Sequence, residues 1–208
     1  MNYFNNDIKV DYNFDFMKDY FQSEEITTVL HSHLKDKMKN IIDKNPYKER
    51  YNNNNDIFIH IRLTDTKRDG MIGINYYIHC INLLKYDNIY IGSDDFNDDF
   101  IKKIKTLYPK VIFVNKNPIE TIQFGSTCKN IILSHGSFSA VIGYLGFFSN
   151  IYYSPHKPRS GLLSLYLNKG FIPIEKGVVV GGSRKKWRDY WNWGDGNMRY
   201  INGRWYKD

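Results

Sequence analysis

From Ile57 onward the chain alternates short apolar runs with longer stretches in which apolar residues recur every three or four positions. Ile57 to Arg62, Ile89 to Ile91, Val111 to Val114, Asn130 to Leu133 and Ile151 to Tyr153 read as strands. Between them, Asn75 to Leu84, Asp95 to Leu107, Ile119 to Cys128 and Ser137 to Phe148 read as helices. Strands joined by helical crossovers return to the same end of a sheet, so they run parallel, and the crossovers are right-handed. The expected fold class is α/β, a Rossmann-like parallel sheet of about five strands flanked by helices.

Before the sheet, residues 2–16 are polar and aromatic without period. Val29, Leu30, Leu34, Met38, Ile41 and Ile42 then predict an N-terminal helix, with Ser23 as its N-cap and Glu24 and Glu25 in the first turn. Three sections follow from this reading: an N-terminal segment and helix over 1–50, a Rossmann-like unit over 51–173, and a tail over 174–208. The tail carries Trp187, Trp191, Trp193 and Trp205 among arginines and lysines, after a hinge-like Gly181-Gly182.

A chain of 208 residues is long enough for one ordinary domain with appendages. Its formal charge of +7 favours an anionic partner without choosing between nucleotide, nucleic acid and acidic glycan. The segment from Lys176 to Asp208 holds eight basic residues against three acidic ones, so much of the excess lies in the tail. Cys80 and Cys128 stand far apart without metal-type spacing, which argues for structural thiols in a reducing compartment. The first residues lack the basic and then apolar regions of a signal peptide, so the expected location is cytoplasmic. Asn130 to His156 has no charged side chain, but its glycines, serines and histidine fit a strand, a turn and a buried helix better than a membrane span.

Candidate chemistry sits where these strands end, which is where open α/β sheets bind ligands. The first strand delivers His60, Arg62 and then Asp65. A guanidinium there suits a phosphate, because its planar fork of donors matches phosphate oxygens and keeps its charge. A structural role is open to the other two, His60 as a hydrogen-bonded core histidine and Asp65 as a turn cap. The second strand ends in Ser93-Asp94-Asp95. Adjacent carboxylates can hold a metal, yet an acid at a helix start is favourable without one; the reading places Ser93 and Asp94 near the ligand and no obligatory metal. The fourth runs into Ser134-His135-Gly136-Ser137-Phe138-Ser139, a helix start whose N–H groups and hydroxyls would seat a phosphate. A serine hydrolase is disfavoured, since no G-x-S-x-G elbow is present.

Together these pieces resemble the α-1,2- and α-1,6-fucosyltransferases. His60-Ile-Arg62-Leu-Thr-Asp65 resembles their His-x-Arg-Arg-x-Asp motif, and Ile91-Gly-Ser-Asp-Asp95 their strand ending in Ser-Asp-Asp. Cys128-Lys-Asn-Ile-Ile-Leu-Ser-His-Gly-Ser-Phe-Ser139 resembles the Cys-Lys-His-x-Ile-x-x-Asn-Ser-x-Phe-Ser motif of family 11 glycosyltransferases. Tyr20-Phe-Gln-Ser-Glu-Glu25 is similar to a segment preceding their donor domain. The resemblance implies the donor half of a GT-B-type, inverting, metal-independent transferase that takes fucose from GDP-fucose to a glycan hydroxyl. Arg62 would then hold the β-phosphate, His60 would support it, and Ser137, Phe138 and Ser139, beside His135 and Gly136, would line the donor pocket. Asp65 and Asp69 would be candidate bases.

The departures are equally specific. Leu63 stands in place of the family's second arginine, Gly136 in place of a serine, and Ala140-Val141 in place of two tryptophans. The family's Gly-Gly-Leu-Gly-Asn-Gln motif is absent. The acceptor wall would then come from the N-terminal helix, the aromatic tail, or another subunit, including a second copy of the chain. The alternative function is a non-catalytic glycan- or nucleotide-binding module that keeps the donor fold. For the tail, docking on the domain, acceptor or partner binding, and nucleic-acid binding are open in that order.

Overall fold

The computed structural model describes residues 24–64, 72–155, 170–174, 198–201 and 204–207. Helices α1 (Glu24–Asp36) and α2 (Met38–Asp43) lead through a short 3-10 turn, Lys48–Arg50, into β1 (Ile57–Ile61). Then come α3 (Ile74–Asn82), β2 (Ile89–Ser93), α4 (Asp99–Leu107), β3 (Ile112–Phe113) and α5 (Pro118–Gly125). The unit closes with β4 (Asn130–Ile132), α6 (Ser137–Leu145), β5 (Asn150–Tyr153) and β6 (Phe171–Pro173). A separate antiparallel pair, β7 (Met198–Ile201) and β8 (Arg204–Lys207), follows.

The fold is α/β with a six-stranded sheet in the order β3-β2-β1-β4-β5-β6, and every pairing in it is parallel. That is one strand more than the apolar runs predict. β6 is three residues long and ends in Pro173, too brief to show a period. As an edge strand it tolerates a proline, which has no N–H to give to the ladder. Helix boundaries also shift: α5 ends at Gly125 and α6 at Leu145, before the expected Cys128 and Phe148. The helix expected from Asp95 begins at Asp99, because Asp98 is its N-cap and accepts from the Phe100 N–H at 2.8 Å. The single helix expected in the N-terminal segment breaks at Lys37 into α1 and α2. Its expected cap, Ser23, lies outside the described residues, as do Gly181-Gly182, Trp187, Trp191 and Trp193.

β1 is central and every one of its residues is buried, so both faces of the sheet have to be covered. Ile57, Ile59, Ile61 and Leu63 share one core with Tyr76, Tyr77, Cys80 and Ile81 of α3 and Phe100, Ile101 and Ile104 of α4. Phe58, on the opposite face, shares the other with Phe124 of α5 and Ala140, Ile142 and Tyr144 of α6. Helix α1 lies over α6, with the His31 and Tyr144 rings 6.0 Å apart.

The entry to β1 is anchored by Arg50. Its Nη2 meets Asp56 Oδ2 at 2.7 Å, its Nε donates to Thr127 Oγ1 at 3.2 Å, and its guanidinium lies 4.6 Å from the centre of the Phe124 ring. Cys128 is buried beside it, and burial pushes its thiol up to about 12 although Arg50 pulls the other way. The cysteine of the Cys-Lys stretch is therefore packed at the N-terminal end of the sheet, opposite the strand ends that carry the candidate chemistry.

Close packing on the α5 side depends on glycine. The Phe58 ring is wedged between Gly92 and Gly125, where an added Cβ would lie 2.8 Å from Cζ and 2.6 Å from Cε1 respectively. Gly125→Ala is expected to lower unfolding free energy by about 1–3 kcal/mol through overpacking. Urea denaturation checks this, and combining it with Phe58→Leu should recover part of the loss.

Candidate functional site

The strand order reverses between β1 and β4, the position at which a doubly wound sheet opens a crevice beyond its carboxyl ends. Arg62 leaves β1 on one side of that crevice, and the turn from Leu133 to Gly136 leaves β4 on the other. The two meet at Gly136, which has φ +111°, a conformation that side chains rarely adopt. A methyl group there would overlap Arg62 Nη1, so the guanidinium occupies the space that a residue with a side chain would fill.

Gly136 is also the N-cap of α6, and its carbonyl accepts the first helical bond, from the Ala140 N–H at 3.1 Å. The N–H groups of Ser137, Phe138 and Ser139 thus form the helix's open first turn. A guanidinium and a helix N-terminus are both positive, and their close approach is unfavourable unless an anion can sit between or beside them. The arrangement is suited to a phosphate.

His60 lies on the same face of β1, one turn of the strand pleat before Arg62. Its ring is 4.9 Å from that of Phe138 and is buried, with Nδ1 lacking a hydrogen-bond partner among the described residues. Burial pushes its pKa down to about 4, and Arg62 adds to the effect while Asp94 opposes it. A neutral imidazole at this depth can accept or donate one hydrogen bond to a ligand without a proton-transfer step.

The remaining expected residues separate into different roles. Ser137 is exposed at the helix start, and Phe138 is half-buried. Ser139 is fully buried, and its Oγ accepts the Ser134 N–H at 2.9 Å, which places it behind the crevice. His135 is buried in the same turn. Ser93 Oγ accepts from the Asp95 N–H at 3.2 Å, forming the turn into α4. Asp94 turns toward the β1 exit: Oδ1 accepts the Leu63 N–H at 2.7 Å, and Oδ2 accepts the Thr64 N–H at 3.1 Å and its hydroxyl at 2.5 Å. Partial burial works to raise the Asp94 pKa, but these bonds outweigh it and hold the carboxyl below its ordinary range. Asp65 and Asp69 lie outside the described residues.

Thr64 and Tyr77, absent from the candidates the sequence offers, stand beside the crevice with Ser134. Ser134 Oγ accepts the Arg62 N–H at 3.3 Å and is bonded to the buried Tyr77 hydroxyl, whose pKa burial raises. Ser134 and Thr64 stand within the motif stretches, where polar residues at strand ends are a usable signal. Tyr77 had none; on its helix it reads as one more apolar core position.

Leu63 is completely buried among the α3 and α4 side chains. An arginine at this position would point into an apolar core, away from Arg62 and the crevice. No group of three or more histidine, cysteine or acidic side chains is arranged to hold a metal ion among the described residues. No helix among them is long and apolar enough to cross a membrane.

A doubly wound α/β protein with an arginine and a helix N-terminus converging at its switch point is the class these features define. The chain belongs to glycosyl transferase family 11, whose family model matches residues 5–163. Among solved structures it is similar to the fucosyltransferase NodZ from Bradyrhizobium, at 16% identity over 54% of this chain and 42% of that one, with a TM-score of 0.32. NodZ alpha-1,6-fucosyltransferase co-crystallized with GDP matches at 17% identity over 55% and 42% of the two chains, with a TM-score of 0.34. The same enzyme soaked with GDP-fucose matches at 16% identity over 52% and 41%, with a TM-score of 0.33. This chain therefore spans about two fifths of the length of those structures. No curated protein matches it significantly.

Two outcomes follow from the burial of β1 and its exit. Leu63→Arg is expected to destabilise the fold by about 3 kcal/mol without strengthening phosphate binding, as read by denaturation midpoint and calorimetric titration. Because the folded pKa of His60 is lowered from 6.5 to about 4, its contribution to stability is complete above 6.5 and is lost as pH falls toward 4. In an NMR titration the His60 ring should keep its neutral signals from about pH 5 to 8, and a midpoint at 6.5 would show that water reaches it.

Proposed function

We propose that the chain is the donor-binding portion of a fucosyltransferase-type glycosyltransferase, taking fucose from GDP-fucose to a glycan hydroxyl with inversion and without an obligatory metal. The observation that carries this reading is the contact of the Arg62 guanidinium with Gly136 at the N-terminus of α6. A nucleoside diphosphate would place its β-phosphate against the arginine and the open N–H groups of the first turn. Family membership supplies the transfer chemistry.

In the proposed reaction the acceptor hydroxyl attacks the anomeric carbon from the side opposite the diphosphate. The carbon–oxygen bond to the β-phosphate breaks, and its electron pair leaves with GDP. Arg62 and the helix N-terminus are positioned for the negative charge that grows on the leaving group, a fixed electrostatic environment that need not reorganise during the step. The acceptor's proton passes to a carboxylate; Asp65 and Asp69 are the candidates by sequence position. His60, neutral beneath the arginine, supports the pocket wall with Phe138.

A nucleotide- or glycan-binding module without turnover is favoured by one observation, the burial of Leu63 where the family motif has a second arginine. Such a module would bind GDP and GDP-fucose in the same seat and release no fucose.

Thermal-shift and calorimetric titration separate these readings. GDP should stabilise the protein more than GMP does, and Arg62→Ala should weaken GDP binding about 10- to 100-fold, the loss expected for charge-assisted bonds to one phosphate. Gly136→Ala should weaken it comparably by displacing the guanidinium. Equal response to GDP and GMP in the unaltered protein would overturn the diphosphate assignment. Slow release of fucose from GDP-fucose would favour the transferase over the module.

A further inference from the structure

We infer that Asp94 is a positioning residue, which sets the direction of Arg62 by clasping the chain that leaves β1, and is not a ligand of the bound nucleotide. The inference rests on the proposed reading of Arg62 as the phosphate ligand. It reverses the role that sequence order gives Asp94, at the end of a neighbouring strand.

Beyond the end of β1 the backbone loses its ladder partners. The β1–β4 ladder ends at Ile59 opposite Ile132, and the β1–β2 ladder ends at Ile61 opposite Ser93. The next three N–H groups, of Arg62, Leu63 and Thr64, therefore have no strand beside them; Leu63 is buried and Arg62 half-buried, so their donors need acceptors elsewhere, while Thr64 is exposed and its bonds add to the clasp. Side chains from the two flanking strand exits provide them. Ser134, just after β4, accepts from Arg62; Asp94, just after β2, accepts from both Leu63 and Thr64. With the Thr64 hydroxyl added, the carboxylate takes three hydrogen bonds within a two-residue span.

Holding Leu63 and Thr64 fixes where Arg62 can point. Leu63 is driven into the α3–α4 core, so the preceding side chain has to leave on the opposite face, toward α6. Ser134 is in turn held by Ser139 and Tyr77, which links the clasp to the helix whose N-terminus Arg62 meets. A charged carboxylate is the stronger acceptor for this task, since its bonds to N–H groups are charge-assisted.

A double-mutant cycle on the full chain, titrated with GDP and with GMP, tests the assignment. Asp94→Asn keeps the shape but replaces one acceptor oxygen by a donor, and should weaken GDP about 10-fold while changing GMP less than about 2-fold. In the Arg62→Ala background the same substitution should cost nothing further. Thr64→Val, a milder change that leaves the carboxylate intact, should show a smaller loss with the same GDP selectivity. Amide hydrogen exchange should quicken at Leu63 and Thr64 in Asp94→Asn and remain unchanged at Ile59 and Ile91, which separates a loosened clasp from general unfolding.

Additive losses in the two backgrounds would make Asp94 a direct ligand and overturn the inference while leaving Arg62's role intact. Unchanged GDP affinity in Asp94→Asn would overturn it equally. If the unaltered protein binds neither nucleotide, the reading of Arg62 fails and the positioning role falls with it.

Discussion

Burial of β1 on both faces is the constraint from which the rest of this structure follows. A strand enclosed by two helical layers has no solvent along its length, so a charged side chain can leave it only at an end. Arg50 and Asp56 satisfy each other at the entry, beneath Phe124. The exit is built differently. Arg62 emerges instead against Gly136 and the first turn of α6, where positive charge meets the positive end of a helix. The two ends of one strand thus differ in surroundings: at the entry an arginine bonded to an aspartate beside an aromatic ring, at the exit an arginine set against a glycine at a helix N-terminus.

The same enclosure explains the departures from the family motif as structural facts. Leu63 is the residue after Arg62, and alternation sends it to the opposite face, into the core formed with α3 and α4. There it contributes apolar packing, while its backbone N–H is taken by Asp94. Gly136 gives up a side chain, and the space holds the Arg62 guanidinium. Among the described residues, Arg62 is placed at the candidate site by its surroundings. Ser134 and Asp94 accept N–H groups of the chain that carries the arginine, and Ser139 and Tyr77 hold Ser134 in turn.

Much of this was legible in the residues alone. The alternation of apolar runs and helical periods gave the parallel sheet and placed five of its six strands, because buried parallel strands are continuous runs of Ile, Val and Phe. Strand exits bearing His60, Arg62, Asp94 and the Ser-His-Gly-Ser turn pointed to the ligand end of the sheet. The short β6 was not legible, since three residues ending in proline carry no period. Nor was the start of α4, where four acids within six residues offered several caps of equal chemistry.

Sequence by itself determined which groups reach the end of the sheet, because period and strand polarity follow from local patterning. Tertiary structure decided which of those groups meet. Ser93, Asp94, Ser137 and Ser139 look alike as polar residues after strands, yet one makes a turn, one clasps a neighbouring strand's exit, one lies at the open helix start and one is buried behind it. Hydrogen-bond partners across β2, β1 and β4 are set by strand order and register, and neither is written in any single segment. The contact of Arg62 with Gly136 joins residues brought together by the switch from β1 to β4, so only the assembled sheet could reveal that the arginine and the helix share one seat.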